Sequence, residues 1–190
     1  MEDAFAVVDK LDISDCRELG SDAVFTISSS KPGNGVEQLR DNNLETYWQS
    51  DGSFPHFINI QFLRKTTIKK LCLYLDYTLD ESYTAKKISI SSGTCMHDLM
   101  DTKTVELNEP TGWVVIPLYD PSYSNDSQNG GQYLRAHLIQ LKVLSMHQNG
   151  RDTHIRQIKI LGPKESPRVM ANFNYDNFKT SEMIQYAAIR

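Results

Sequence analysis

Within one short stretch, His147-Gln148-Asn149-Gly150-Arg151-Asp152-Thr153-His154, the chain gathers two amides, a guanidinium, a carboxylate and two imidazoles. Groups of this kind read hydrogen-bonding ligands when a scaffold holds them still. His147 and His154 also admit an acid–base site, although loop histidines more often only hydrogen-bond. Asn149-Gly150 takes positive φ cheaply and predicts a turn. After it, Ile158 and Ile160 alternate with Gln157 and Lys159 as in a half-buried strand, and the apolar run Leu138 to Leu144 leads in. A strand pair is therefore expected to hold the loop out, either for recognition or as a solvated hairpin tip. Arg151 and Asp152 either meet a ligand or brace each other.

A second candidate stretch is Leu44-Glu45-Thr46-Tyr47-Trp48-Gln49-Ser50-Asp51-Gly52. Trp48 is expected as a core plug whose indole N–H needs one partner. Ser50 and Asp51 are expected near the surface at a sandwich end, in a ligand role or in a turn closed by Asp51-Gly52. Other chemistry finds little support. There is no GxSxG nucleophile turn and no HExxH metal pattern. Gly33 and Gly35 make a GxG without a Rossmann unit behind it. His97 beside Asp98 and His137 inside a strand complete the imidazoles. Cys16, Cys72 and Cys95 lack zinc-site spacing, and Cys72 sits in an apolar strand as a small buried hydrophobe. No catalysis, metal or cofactor is expected.

The bulk numbers narrow the partners. In 190 residues the net charge is −4 and no Lys/Arg cluster stands out, which argues against nucleic acid. No apolar run approaches the roughly 20 residues of a membrane span. The acidic start Met1-Glu2-Asp3 lacks the features of a signal peptide, so a reducing compartment is expected and the Asn125-Asp126-Ser127 sequon carries no meaning.

The elements that must position these residues are mostly strands. Val24–Ser28, His56–Phe62, Thr66–Tyr77, Lys87–Ser91, Val105–Leu107 and Trp113–Leu118 alternate or are rich in β-branched and aromatic residues, the last two reading as a pair. Ile58, Ile60 and Phe62 should share one face, as should Leu71, Leu73 and Leu75. Met1–Leu19 reads as a peripheral helix or extended lead-in, and Val36–Arg40 as one helical turn. Pro121–Gln132 is a polar loop. Many short strands without long helices predict an all-β, antiparallel jelly-roll sandwich with short peripheral helices. The expected organisation is an N-terminal extension (1–16), one jelly-roll domain (17–162) and a C-terminal tail (163–190).

Several long motifs then point to a family. Lys31-Pro32-Gly33, Gln38-Leu39-Arg40-Asp41, Asn43 through Gly52, Asn59-Ile60-Gln61-Phe62, Asp80-Glu81-Ser82-Tyr83-Thr84 and all of His147 to Ile160 closely resemble the DOC domain. This domain belongs to a subunit of the anaphase-promoting complex, a multisubunit ubiquitin ligase, and its fold is similar to galactose-binding modules. The resemblance covers roughly residues 17 to 161; the long Ser122–Gln132 loop and Gln185–Ala188 depart from the pattern. It implies non-catalytic substrate recognition in the nucleus and cytoplasm, with a WD40 coactivator completing a receptor for destruction-box substrates. It also implies a degron-facing surface of Ser50, Asp51, Ser82, Tyr83, Asn149, Arg151, Asp152 and His154. The ending Ile189-Arg190 resembles the dipeptide with which family members dock on a TPR scaffold subunit. A lectin-like module binding sugar at the same loops is the alternative.

Overall fold

Alternation decides where the core forms. The computed structural model, which describes residues 5–120 and 132–164, turns Ile58, Ile60 and Phe62 inward along one strand and Leu71, Leu73 and Leu75 inward along the next. Each such side chain contributes about 1.5–3 kcal/mol on burial. The strands are β1 (Ala6–Val8), β2 (Cys16–Glu18), β3 (Ala23–Ile27), β4 (Trp48–Gln49), β5 (His56–Ile68) and β6 (Lys70–Asp76). They continue as β7 (Ala85–Gly93), β8 (Met100–Glu106), β9 (Thr111–Pro117), β10 (Leu134–Met146), β11 (His154–Ile155) and β12 (Gln157–Pro163). One α-helical turn, α1 (Tyr77–Asp80), stands among the described residues.

Two five-stranded antiparallel sheets face each other, ordered β1-β9-β6-β12-β2 and β3-β5-β10-β7-β8, with β4 and β11 forming a small ribbon. The apolar faces of β5, β7 and β10 meet those of β6, β9 and β12 in a single core. Trp48 is the expected plug: it is fully buried and its indole N–H donates to the Ser29 carbonyl at 2.9 Å. A second apolar cluster, Cys16, Cys72, Trp113 and Leu161, lies on the other face of the first sheet, with Val8, Leu11 and Tyr74 packed against it. Burial there pushes the Cys72 thiol up to about 12 and leaves it inert.

Several expectations change. The Val105 and Trp113 strands do not pair with each other: β8 hydrogen-bonds to β7 and β9 to β6, in opposite sheets. The linker explains the change, since Leu107 is fully buried and Glu109 takes a left-handed φ of 44° that redirects the chain. The strands around residues 147–154 likewise lie in different sheets, β10 beside β5 and β7, β12 beside β6 and β2. Their connection is not a hairpin tip but a bridge over the roughly 10 Å between layers. Thr66–Tyr77 is two strands rather than one, because Lys69 ends the long β5. Val36–Arg40 closes as turns, Leu39 and Arg40 each donating to the carbonyl three residues back, and no helix forms. Of the two readings of the N-terminal segment the extended one holds for its described residues: β1 is an edge strand on β9 and β2 an edge strand on β12. Most of the Pro121–Gln132 loop (121–131) and the tail from residue 165, with Ile189 and Arg190, lie outside the described residues.

Candidate functional site

The end of the sandwich that carries the 147–154 bridge is built on one buried carboxylate. Asp76 caps α1, its side chain accepting from the Thr78 and Leu79 amides at 3.0 and 3.3 Å. That turn drives Asp80 inward, where it accepts from Arg156 Nε and Nη2 at 2.8 Å each and pairs with His154 Nδ1 at 3.0 Å. The Arg156 fork is bidentate, the strongest geometry for this pair. Burial of Asp80 opposes its ionisation, but the hydrogen bonds from His154 and Arg156 and the guanidinium charge outweigh that and hold the carboxyl below the usual range. Arg156 Nη1 also donates to the Leu44 carbonyl at 2.8 Å. The His154 ring lies between Tyr47, at 4.2 Å, and Tyr83, at 4.3 Å and almost parallel. Three segments, 44–47, 77–83 and 154–156, thus converge on the Asp80–Arg156–His154 cluster.

The bridge itself is tied down by its backbone. His147 N–H donates to the Thr84 carbonyl, Ser50 N–H to the Thr153 carbonyl, and Thr153 N–H to Ser50 Oγ. His56 Nε2 contacts the Arg151 carbonyl at 2.8 Å. Gln148 and Asn149 take the left-handed conformation, with φ of 51° and 56°. Gly150 does not: its φ is −58°. The expected turn is present, but Gly150 is required by close approach instead, because a Cβ there would overlap the Ser82 carbonyl oxygen. This contact presses the bridge against the 81–83 turn.

The structure sorts the predicted residues into two kinds. Asp51, Asn149 and Arg151 are exposed, Tyr83 is 39% exposed, and Ser82 and Asp152 are half-buried. Ser50, expected near the surface, is fully enclosed, since both its backbone and its hydroxyl are spent on Thr153. His154 is only 7% exposed and is committed to Asp80 and the two tyrosines. Both are struts under the surface rather than part of it. No ion pair joins Arg151 to Asp152 among the described residues, so the two do not brace each other. His147 packs edge-on against Tyr77, so the two imidazoles have separate partners. Sequence reasoning missed Asp80 and Arg156 as a pair, since Arg156 stands in a largely polar run, Thr153-His154-Ile155-Arg156-Gln157, where nothing marks it as buried.

Beside the bridge, Gly52–Phe54, Leu144–Met146 and Asn149–Arg151 form the walls of an open groove of about 440 Å³, with Phe54, Leu144 and Met146 as its apolar part and Arg151 as its charged rim. Among the described residues no group of three His, Cys, Asp or Glu side chains converges to hold a metal. The arrangement presents a carboxylate, a carboxamide, a guanidinium and a phenol on rigid backbone, which suits binding of an extended polar chain.

Comparison with known proteins identifies the family and the fold. The family model described as anaphase-promoting complex, subunit 10 matches residues 3–188. Anaphase-promoting complex subunit 10 of Homo sapiens is 51% identical over 174 residues, 92% of this chain and 88% of that protein. The Dictyostelium discoideum protein of the same name is 49% identical over 91% of this chain and 86% of its own length. The Saccharomyces cerevisiae subunit DOC1 is 32% identical, covering 76% of this chain and 56% of that one. Among solved structures, a family 32 carbohydrate-binding module of Clostridium perfringens NanJ in complex with galactose superposes with a TM-score of 0.60 at 10% identity, over 76% of this chain and 97% of the other. An F5/8 type C domain from Bacteroides fragilis does so with a TM-score of 0.60 at 10% identity, over 79% and 98%. At that identity the last two speak for the galactose-binding-type jelly roll alone.

Proposed function

The chain belongs to the anaphase-promoting complex subunit 10 family, and on that premise we propose that it is a non-catalytic substrate-recognition subunit of that ubiquitin ligase. In this reading it forms a destruction-box co-receptor with a WD40 coactivator, and raises substrate affinity and processivity in the nucleus and cytoplasm. Asp51, Ser82, Tyr83, Asn149, Arg151 and Asp152 face the degron, while Ser50 and His154 hold them in place. Ile189 and Arg190 dock on a TPR scaffold subunit. The supporting observation is the collection of exposed polar groups on loops that the buried Asp80–Arg156–His154 cluster fixes at one end. A weak contact suffices there, because a peptide held by the coactivator reaches these loops at high effective concentration.

The test is the full chain carrying Asn149→Ala, Arg151→Ala and Asp152→Ala, assembled into the complex. Degron-dependent ubiquitination should fall about tenfold, in line with loss of one to two polar contacts, with assembly unchanged and the thermal midpoint only slightly lowered by alanine at the left-handed position 149. Normal ubiquitination would refute the assignment of the surface. A sugar-binding module is the second reading, favoured by the exposed rings of Phe54 and Tyr83 near the loop tips. Titration with galactose separates the two: the degron reading requires no heat of binding.

A further inference from the structure

The opposite end of the sandwich carries an irregularity that the degron surface does not use. Along β10 and β5, Ala136 lies across from Thr66 and Leu138 across from Gln61, so Phe62 to Lys65 stand opposite His137 alone. Phe62 still pairs with Ala23 of β3, but Leu63, Arg64 and Lys65 pair with neither neighbour. A bulge of this size pushes its residues out of the sheet plane. Leu63 is consequently 91% exposed, the most exposed large apolar side chain among the described residues, and Val24 is 60% exposed on the adjoining strand. With Val24 it makes an apolar projection at the rim of the adjoining groove.

The bulge forms one wall of a groove of about 780 Å³ between β2, β3 and β5, floored by Leu19, Ala23 and Pro163. Its charged lining is Arg17, Arg64 and Lys65 against one carboxylate, Asp22. Arg17 lies 3.4 Å from Asp22, whereas Arg64 and Lys65 are exposed and enter no ion pair among the described residues. On a chain of net charge −4, this is a local excess of positive charge around exposed leucine and valine.

We infer that this groove docks an acidic segment of a protein partner, its carboxylates meeting Arg64 and Lys65 and an apolar side chain covering Leu63. Charge complementarity selects the occupant: two unpaired cations beside an apolar projection match carboxylates interspersed with apolar residues. A nucleic acid would need a wider basic field and would leave Leu63 uncovered. The surface lies away from the degron-facing loops, so both can be occupied together.

The test rests on the complex membership proposed above. The full chain with Leu63→p-benzoylphenylalanine is assembled into the complex and irradiated, and the cross-linked peptide is sequenced by mass. A cross-link to a protein segment rich in Asp and Glu with apolar residues is expected. In parallel, Arg64→Glu/Lys65→Glu should weaken incorporation about tenfold at physiological salt, and the deficit should shrink when 0.5 M salt weakens the wild type too. Both changes sit on an exposed bulge, so the thermal midpoint of the isolated chain serves as the folding control. A cross-link to a basic or neutral segment or to nucleic acid, no cross-link at all, or unchanged incorporation of the charge-reversed chain would each overturn the docking site. Failure of the wild-type chain itself to incorporate would overturn the complex membership, and this inference with it.

Discussion

Asp80 shows how much of the proposed recognition surface rests on a residue buried beneath it. Its carboxylate holds Arg156, 76 residues away in sequence, and His154 beside it. Asp80→Asn should leave Arg156 buried without a counter-charge and cost about 3–5 kcal/mol, read from chemical denaturation. The same pair predicts a pH dependence. Because the folded carboxyl titrates below its ordinary value of 3.8, its contribution is complete above that pH and disappears as pH falls through the folded value. The wild-type chain should therefore lose stability below about pH 4 more steeply than Asp80→Asn; parallel acid profiles would show that Asp80 is not the group responsible. At this scale the sequence was only half legible. Asn149, Arg151 and Asp51 announce themselves as polar residues in turns, and the structure leaves them at the surface. Ser50 and His154 look the same in one dimension, yet their burial depends on partners, Thr153 and Asp80, that local composition does not identify. Gly150 was visible as a turn residue, but its reason, the Ser82 carbonyl against its α-carbon, belongs to the folded chain.

Among the elements, period-two alternation was a reliable guide to which side of each strand is buried, as Leu71, Leu73 and Leu75 show. It was silent on which sheet a strand joins. The β8 and β9 strands, close in sequence, part to opposite layers, and so do β10 and β12. The N-terminal segment was the least legible, because Ala6–Val8 is too short to display a period and takes its conformation from the edge of β9. Its value is predictable from packing: Val8 and Leu11 lie against Tyr74 and Trp113 on the outer face of the first sheet. Removing residues 1–11 should lower stability by about 2–4 kcal/mol through lost apolar burial and shift Trp113 fluorescence to the red. An unchanged denaturation midpoint would mean that the outer cluster stands without this cover.

For the whole molecule, the all-β jelly roll was readable from the density of short strands, and the order of those strands was not. The two ends of the sandwich carry separate proposals, the degron-facing loops at one and the basic bulge with its acidic-segment docking at the other. The docking role proposed for Ile189 and Arg190 is separable from both: deleting these two residues should weaken binding to the TPR scaffold while leaving the isolated chain's thermal midpoint unchanged. Equal scaffold binding with and without them would remove that role. One further property follows from the way the first strands find their partners. Cys16–Glu18 hydrogen-bonds to Leu161–Pro163, and Ala6–Val8 to Trp113–Val115. During synthesis the earliest segments therefore emerge from the ribosome long before their partners exist, and the first sheet cannot close until β12 has been translated. The nascent chain spends that interval with apolar strand faces uncovered, the period in which aggregation competes with folding.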